Sequence, residues 1–263
     1  MTIDYFLQKF SKLYPKSIDL SLDRIKILLD KLGNPEKKLP PIIHVAGTNG
    51  KGSTIAFLKS IFESANYKVQ AYTSPHLINF NERIRLPNGY IKDDFLIDIF
   101  KECNFYNKNE PISFFEITTA AAFLAFSKSK GDILLLEVGL GGRLDTTNVI
   151  EKSILSTITP VSLDHTEFLG QNIDSIAFEK AGIIKDNGRV LIGPQTPRVT
   201  EIIKKIANER NNNSFIYGRD WFFNSNSDNS IKLNFKENSF FLPKPRLNGF
   251  HQISNAKSTV VKN

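Results

Sequence analysis

The chain has 263 residues, 41% of them hydrophobic, and a formal charge of +7, enough for a sizeable core in one large or two modest globular domains. One cysteine, Cys103, excludes an internal disulfide and a thiolate zinc cluster, while lysines mixed with acids (Lys9, Lys12 and Lys16 against Asp4, Asp19 and Asp23) make no basic stripe, so no nucleic-acid partner is expected and the surplus suits anionic small molecules. No run approaches the roughly 18 apolar residues of a membrane span and Met1-Thr2-Ile3-Asp4-Tyr5 lacks a basic-then-apolar signal pattern, so no membrane association and a cytoplasmic location are expected.

In chain order, Leu22, Ile25, Leu29 and Leu32 recur at helical spacing after Ser21, and Gly33-Asn34-Pro35 stops that helix. A strand at Ile42–Val45 then breaks into Ala46-Gly47-Thr48-Asn49-Gly50-Lys51-Gly52-Ser53-Thr54. This is the composition of a phosphate-binding loop, because successive N–H groups wrap an anion only where side chains do not obstruct them. Lys51 would sit on the outer phosphates, with Ser53 or Thr54 near Mg²⁺. The match to the common pattern is imperfect, since Val45 replaces the first glycine and Gly52 separates lysine from hydroxyl. A helix carrying Ile55, Leu58 and Phe62 on one face follows, then a strand at Lys68–Tyr72, which together imply a parallel crossover.

A further helix is predicted over Glu116–Lys128, followed by a doubly buried strand, Ile133–Leu136. That strand runs into Glu137 and the glycine-rich Val138–Gly142, placing an acid at the strand end, where ligands of parallel sheets lie. Strands at Ile154–Ile158 and Val190–Ile192 alternate with a helix capped by Asn172 and ending near Gly182, and with another carrying Val199, Ile202, Ile203 and Ile206. Beyond the polar turn at 208–214, Ile231, Leu233 and Phe235 alternate as a half-buried antiparallel strand would, so a small β subdomain is expected over about 213–246. The segment Leu247–Lys257 should continue as helix. The predicted class is α/β, a mostly parallel sheet flanked by helices.

Each singled-out residue also has a plainer meaning. Lys51 could be a turn lysine, Glu137 a solvated strand end, His165 a loop histidine and Ser74 a turn residue before proline. Asp145 and Asn148 could be turn and capping residues, and His44 and His76 structural or substrate-edge groups. Phe114 and Phe115 are core or pocket lining. Lys180 lies among Ile176, Ala177, Ala181 and Ile183, surroundings that lower an amine's pKa and leave some of it neutral and able to take up CO₂.

The chain resembles the folylpolyglutamate synthase / dihydrofolate synthase family, relatives of the Mur ligases. The resemblance is carried by His44–Ser53, Thr73–Leu77, Asn81–Ile84, Phe114–Glu116, Glu137–Asn148, Leu163–His165, Glu179–Ile183 and His251-Gln252. It implies a Mur-ligase-like central ATPase domain and ATP-dependent joining of L-glutamate to tetrahydrofolate or dihydropteroate through an acyl phosphate. ATP and Mg²⁺ are the implied cofactors. Gly47, Thr48, Asn49, Gly50, Lys51, Gly52, Ser53 and Asn255 would hold the nucleotide, Ser74, Glu137 and His165 the metal, and Lys51, Lys180 and His165 would serve catalysis, Lys180 as a carbamate. It further implies that residues 1–263 are the amino-terminal ATPase domain and that the carboxy-terminal domain is absent. Without that wall the chain alone is expected to bind ATP weakly and not to ligate, unless a separate chain supplies it. A nucleotide-binding remnant without ligase activity and a small-molecule kinase are the alternative readings.

Overall fold

The computed structural model describes residues 1–14, 20–225 and 231–242. Helices α1 (Ile3–Ser11) and α2 (Asp23–Lys31) lead into β1 (Ile42–Ala46), α3 (Lys51–Ser64), β2 (Val69–Tyr72), the short strands β3 (Ile84–Leu86) and β4 (Gly89–Tyr90), α4 (Asp93–Asn107) and α5 (Phe114–Lys128). Then come β5 (Ile133–Glu137), β6 (Leu155–Ile158), α6 (Thr166–Leu169), α7 (Ile173–Ala181), β7 (Arg189–Ile192), α8 (Pro197–Glu209) and β8 (Asn213–Ile216). Three final strands are β9 (Trp221–Ser225), β10 (Ile231–Phe235) and β11 (Asn238–Leu242).

The main sheet has eight strands in the order β4-β3-β2-β5-β1-β6-β7-β8, all parallel except the β3 and β4 edge. β1 is central, pairing with β5 on one side and β6 on the other, so its loop leaves the sheet where the strand order reverses. The pleat sorts the core. Ile43 and Val45 join Ile55 and Leu58 of α3, whereas Ile42 faces the helices α1, α2, α4 and α5. Ala46, Ile158 and Ile192 pack against α7 and α8 on that same face.

α5 is buried almost all round, and its start is fixed by a capping box. Ser113 Oγ accepts from the Glu116 N–H at 3.2 Å while Glu116 Oε2 accepts from the Ser113 N–H at 2.7 Å. The helix therefore begins at Phe114, two residues before its predicted start at Glu116.

The expected antiparallel strand is β10, the middle strand of a three-stranded sheet, with Leu233 and Phe235 buried. Trp221, Leu233 and Phe235 seat that sheet on Leu191, on the same side as α3. The small unit starts later than 213, because Asn213–Ile216 pairs in parallel with β7 and closes the main sheet. Parallel pairing with a buried neighbour decides the allegiance of so short a strand. Residues 243–246, the segment Leu247–Lys257 with His251-Gln252 and Asn255, and its expected helical continuation lie outside the described residues. No helix among the described residues is long and apolar enough to cross a membrane.

Candidate active site

The loop after β1 is tied to the end of β6. The N–H groups of Thr48 and Asn49 both donate to the Pro160 carbonyl, at 2.9 and 3.3 Å, and Thr48 Oγ1 donates to the Ser162 carbonyl at 3.0 Å. Gly47 is obligatory here. A Cβ at that position, where φ is +150°, would lie 1.8 Å from Thr159 Oγ1. Gly50, at φ 86°, turns the chain into α3, whose first i to i−4 bond is Thr54 N–H to the Gly50 carbonyl at 2.9 Å. The N–H groups of Lys51, Gly52 and Ser53 thus precede the helical ladder and point out of the helix start, where an anion is favoured. From its glycine spacing the whole loop reads as an anion cradle. The structure instead commits the Thr48 and Asn49 amides to Pro160, a contact the Thr159-Pro160 pair after a buried strand could have suggested.

Two lysines converge on the same backbone oxygen. Lys51 Nζ donates to the Gly47 and Thr48 carbonyls at 2.9 and 3.2 Å, and Lys180 Nζ reaches the Gly47 carbonyl from α7 at 3.1 Å. Lys180 is 3% exposed. Burial, reinforced by the charge of Lys51, lowers its amine to about 8 although Asp164 and Asp145 oppose the shift.

Glu137 ends β5 beside this loop, its backbone in register with Val45. Its carboxyl is buried and pushed up to about 7 by desolvation, against the pull of Lys51 and of the Ser74 N–H, which donates to Oε2 at 3.2 Å. Ser74 and His165 both line a cavity of about 260 Å³ together with Phe115, Arg83, Leu140 and Asp145. Ser74 thus meets Glu137 directly and shares the cavity lining with His165, while Lys51 acts on Glu137 through its charge. His165 takes a left-handed conformation at φ 48° before α6, with Nε2 3.6 Å from Asp164 Oδ2.

Among the described residues no three His, Cys, Asp or Glu side chains cluster as a metal cage. The Ser74 hydroxyl and the Glu137 carboxylate are oxygen donors of the kind a hard divalent cation takes, whereas the His165 imidazole is a less usual ligand for one. A buried carboxyl that holds its proton up to about 7 is a group that a cation would bring back to the ionised form.

Of Asp145 and Asn148, Asp145 alone lines the cavity. Asp145 is 3% exposed and accepts from the Leu140 N–H at 2.8 Å and the Thr147 N–H at 3.0 Å. Asn148 stays structural, donating through Nδ2 to the Arg143 and Gly182 carbonyls at 2.9 and 3.1 Å. Arg83, part of the Asn81–Ile84 motif but given no role from sequence, lines the cavity while its Nε donates to His76 Nδ1 at 2.8 Å. Phe115 lines the same cavity, and Phe114 packs against the core.

A sequence profile described as the Mur ligase middle domain matches residues 45–261. The chain belongs to the Mur ligase middle-domain family. The chain is also similar to the dihydrofolate synthase/folylpolyglutamate synthase of Haemophilus influenzae, 40% identical over 224 residues, or 85% of this chain and 50% of the relative. Of solved structures, Escherichia coli FolC in complex with DHPP and ADP superposes with a TM-score of 0.90 at 31% identity, covering 99% of this chain and 62% of that one. A bifunctional folylpolyglutamate synthase/dihydrofolate synthase with Mn, AMPPNP and L-glutamate bound gives 0.86 at 30% identity, covering 99% and 61%. These similarities bear out the resemblance carried by the sequence motifs. The chain spans about half the length of the curated relatives it matches.

Proposed function

We propose that this chain binds ATP with a divalent cation at the Gly47–Ser53 loop and supports ligation of L-glutamate to the carboxylate of dihydropteroate or a reduced folate. The observation that carries the proposal is the convergence of Lys51, Lys180 and Glu137 on one loop at the centre of a parallel sheet. Relatives with the same fold bind ADP, AMPPNP, Mn, L-glutamate and DHPP. Because the chain spans about half of such relatives, ligation is proposed for the assembly in which this unit works.

In this proposal an acceptor carboxylate oxygen attacks the γ-phosphorus, ADP leaves, and the acyl phosphate is then opened by the glutamate amine, which loses a proton as phosphate departs. Lys51 exchanges its loop carbonyls for phosphate oxygens, and the N–H groups opening α3 orient the same phosphates. The cation, when bound, offsets the negative charge that opposes approach of one anion to another. Ser74, Glu137 and His165 are the residues proposed to hold it. Lys180, its amine lowered to about 8, is proposed to take up CO₂ as a carbamate whose remaining N–H still reaches the Gly47 carbonyl. The cavity beside Asp145 and Phe115 is proposed to hold the acceptor and keep water from the acyl phosphate.

Titration calorimetry with a non-hydrolysable ATP analogue tests the reading. Lys51→Ala should lose about tenfold to a hundredfold in affinity, the size of a charge-assisted hydrogen bond of roughly 1.5–3 kcal/mol, in a chain that stays folded. Unchanged affinity would remove the loop from the nucleotide site.

A further inference from the structure

His44 occupies the middle of β1 and is completely buried, on a strand face otherwise built from Ile42 and Ala46. An apolar residue there would avoid the cost of desolvating an imidazole. Its Nδ1 has no hydrogen-bond partner among the described residues. Its Nε2 lies 2.9 Å from Thr147 Oγ1, and that hydroxyl in turn bonds Asp145 Oδ1. An ionised carboxylate only accepts, so the hydroxyl proton belongs to the Thr147–Asp145 bond. The Thr147 oxygen then faces His44 with a lone pair, and Nε2 must carry the imidazole proton.

We propose that His44 is a positioning residue which, through the Thr147 hydroxyl, holds the Asp145 carboxylate oriented and ionised on the cavity wall. The role rests on reading that cavity as the acceptor pocket of the proposed ligation, but its test needs no ligand. Burial keeps His44 neutral by pushing its pKa well below 6.5, with the nearby charge of Lys185 acting in the same direction. Burial also raises Asp145, and the bonds from Leu140, Thr147 and Gly139 oppose that rise. Glu137 of β5, Lys180 of α7 and Tyr72 of β2 feel the Asp145 charge, and Arg83 and His165 line the same cavity. None of them donates a hydrogen bond that could replace the one from Thr147.

Nuclear magnetic resonance of the intact chain decides the matter. The ¹⁵N shifts of His44 should show the Nε2–H tautomer, unchanged between about pH 5 and 8. The ¹³Cγ titration midpoint of Asp145 should rise by about one pH unit in His44→Leu, a tenfold change in its ionisation constant, and return in His44→Gln, whose amide keeps a donor at comparable reach. Thr147→Val should raise the midpoint by itself and make the added His44→Leu change silent, because the two residues act in series. An Nδ1–H tautomer, an unmoved midpoint in folded His44→Leu, failure of His44→Gln to restore it, or additive effects of the two substitutions would each overturn the assignment. If His44→Leu does not fold, the tautomer in the unmodified chain and the Thr147→Val midpoint still decide it. Nucleotide affinity should stay unchanged in His44→Gln, so loss of the ATP reading and loss of this one are separable.

Discussion

Replacing Glu137 by glutamine should stabilise the protein, and by an amount that depends on pH. The unfolded carboxyl ionises near 4.5 and the folded one near 7, because Glu137 is 4% exposed and neither Lys51 nor the Ser74 N–H fully offsets its desolvation. Between those values the native state holds a proton that the unfolded chain has released, so stability falls as pH rises through this window. At about 1.4 kcal/mol per tenfold in the ionisation constant, the full effect is worth roughly 3 kcal/mol above pH 7 and vanishes below about pH 4.5. Glutamine keeps the shape and an oxygen for the Ser74 N–H but never carries the charge. Urea unfolding at a series of pH values is the assay. With a slope of roughly 2–3 kcal/mol per molar, Glu137→Gln should move the midpoint up by about 1 M at pH 8 and hardly at all at pH 4.5. Equal midpoints at pH 8, or a variant weakened by the same amount at every pH, would refute the account of Glu137 as a strained, buried anion awaiting a cation.

Lys180→Met should show the opposite dependence. The folded amine titrates near 8 and the unfolded one near 10.5, so the native chain is penalised below about 8 and stability rises with pH through that window. In CO₂-free buffer the variant's gain should reach roughly 2–3 kcal/mol at pH 7, reduced by the lost bond to Gly47, and fade by about pH 10.5; a flat difference in the same melts speaks against the shift. Gly47→Ala should cost on the order of 1–3 kcal/mol in thermal or urea melts, with partial recovery in combination with Thr159→Ala, since the Thr159 carbonyl 3.0 Å away still crowds the new Cβ. Glu137→Gln and His165→Ala should each weaken nucleotide binding more with Mg²⁺ than without it, as read by calorimetry; identical Mg²⁺ dependence in both would place the metal elsewhere.

The central strands are legible in the sequence because a strand buried on both faces reads as an unbroken apolar run, as Ile133–Leu136 does before Glu137. The loop is legible because glycine spacing reports backbone conformation directly, at Gly47 and Gly50 above all. Less of α4 is visible: Leu96, Ile99, Phe100 and Cys103 are buried, but Phe105 and Tyr106 on the same helix are exposed and blur its periodicity. The β3–β4 hairpin is too short to leave a pattern. What no local pattern carries is the long-range pairing of groups. The Thr48 and Asn49 amides on Pro160, the meeting of Lys51 and Lys180 at one carbonyl, and the line from His44 through Thr147 to Asp145 all join segments far apart in the chain.

Trp221 is the chain's single tryptophan, completely buried where the three-stranded sheet meets the main one. Its indole Nε1 donates to the Phe215 carbonyl of β8 at 3.3 Å, and its ring meets Tyr217 edge-on at 5.0 Å between centroids. The molecule thus carries a built-in optical gauge on the joint between its two sheets. A red shift of the emission that runs ahead of the loss of helical circular dichroism would mean that the small sheet lifts off while the eight-stranded sheet and its lysine-bearing loop remain assembled. Coincident transitions would mean that the appendage and the nucleotide-site scaffold melt as one cooperative unit.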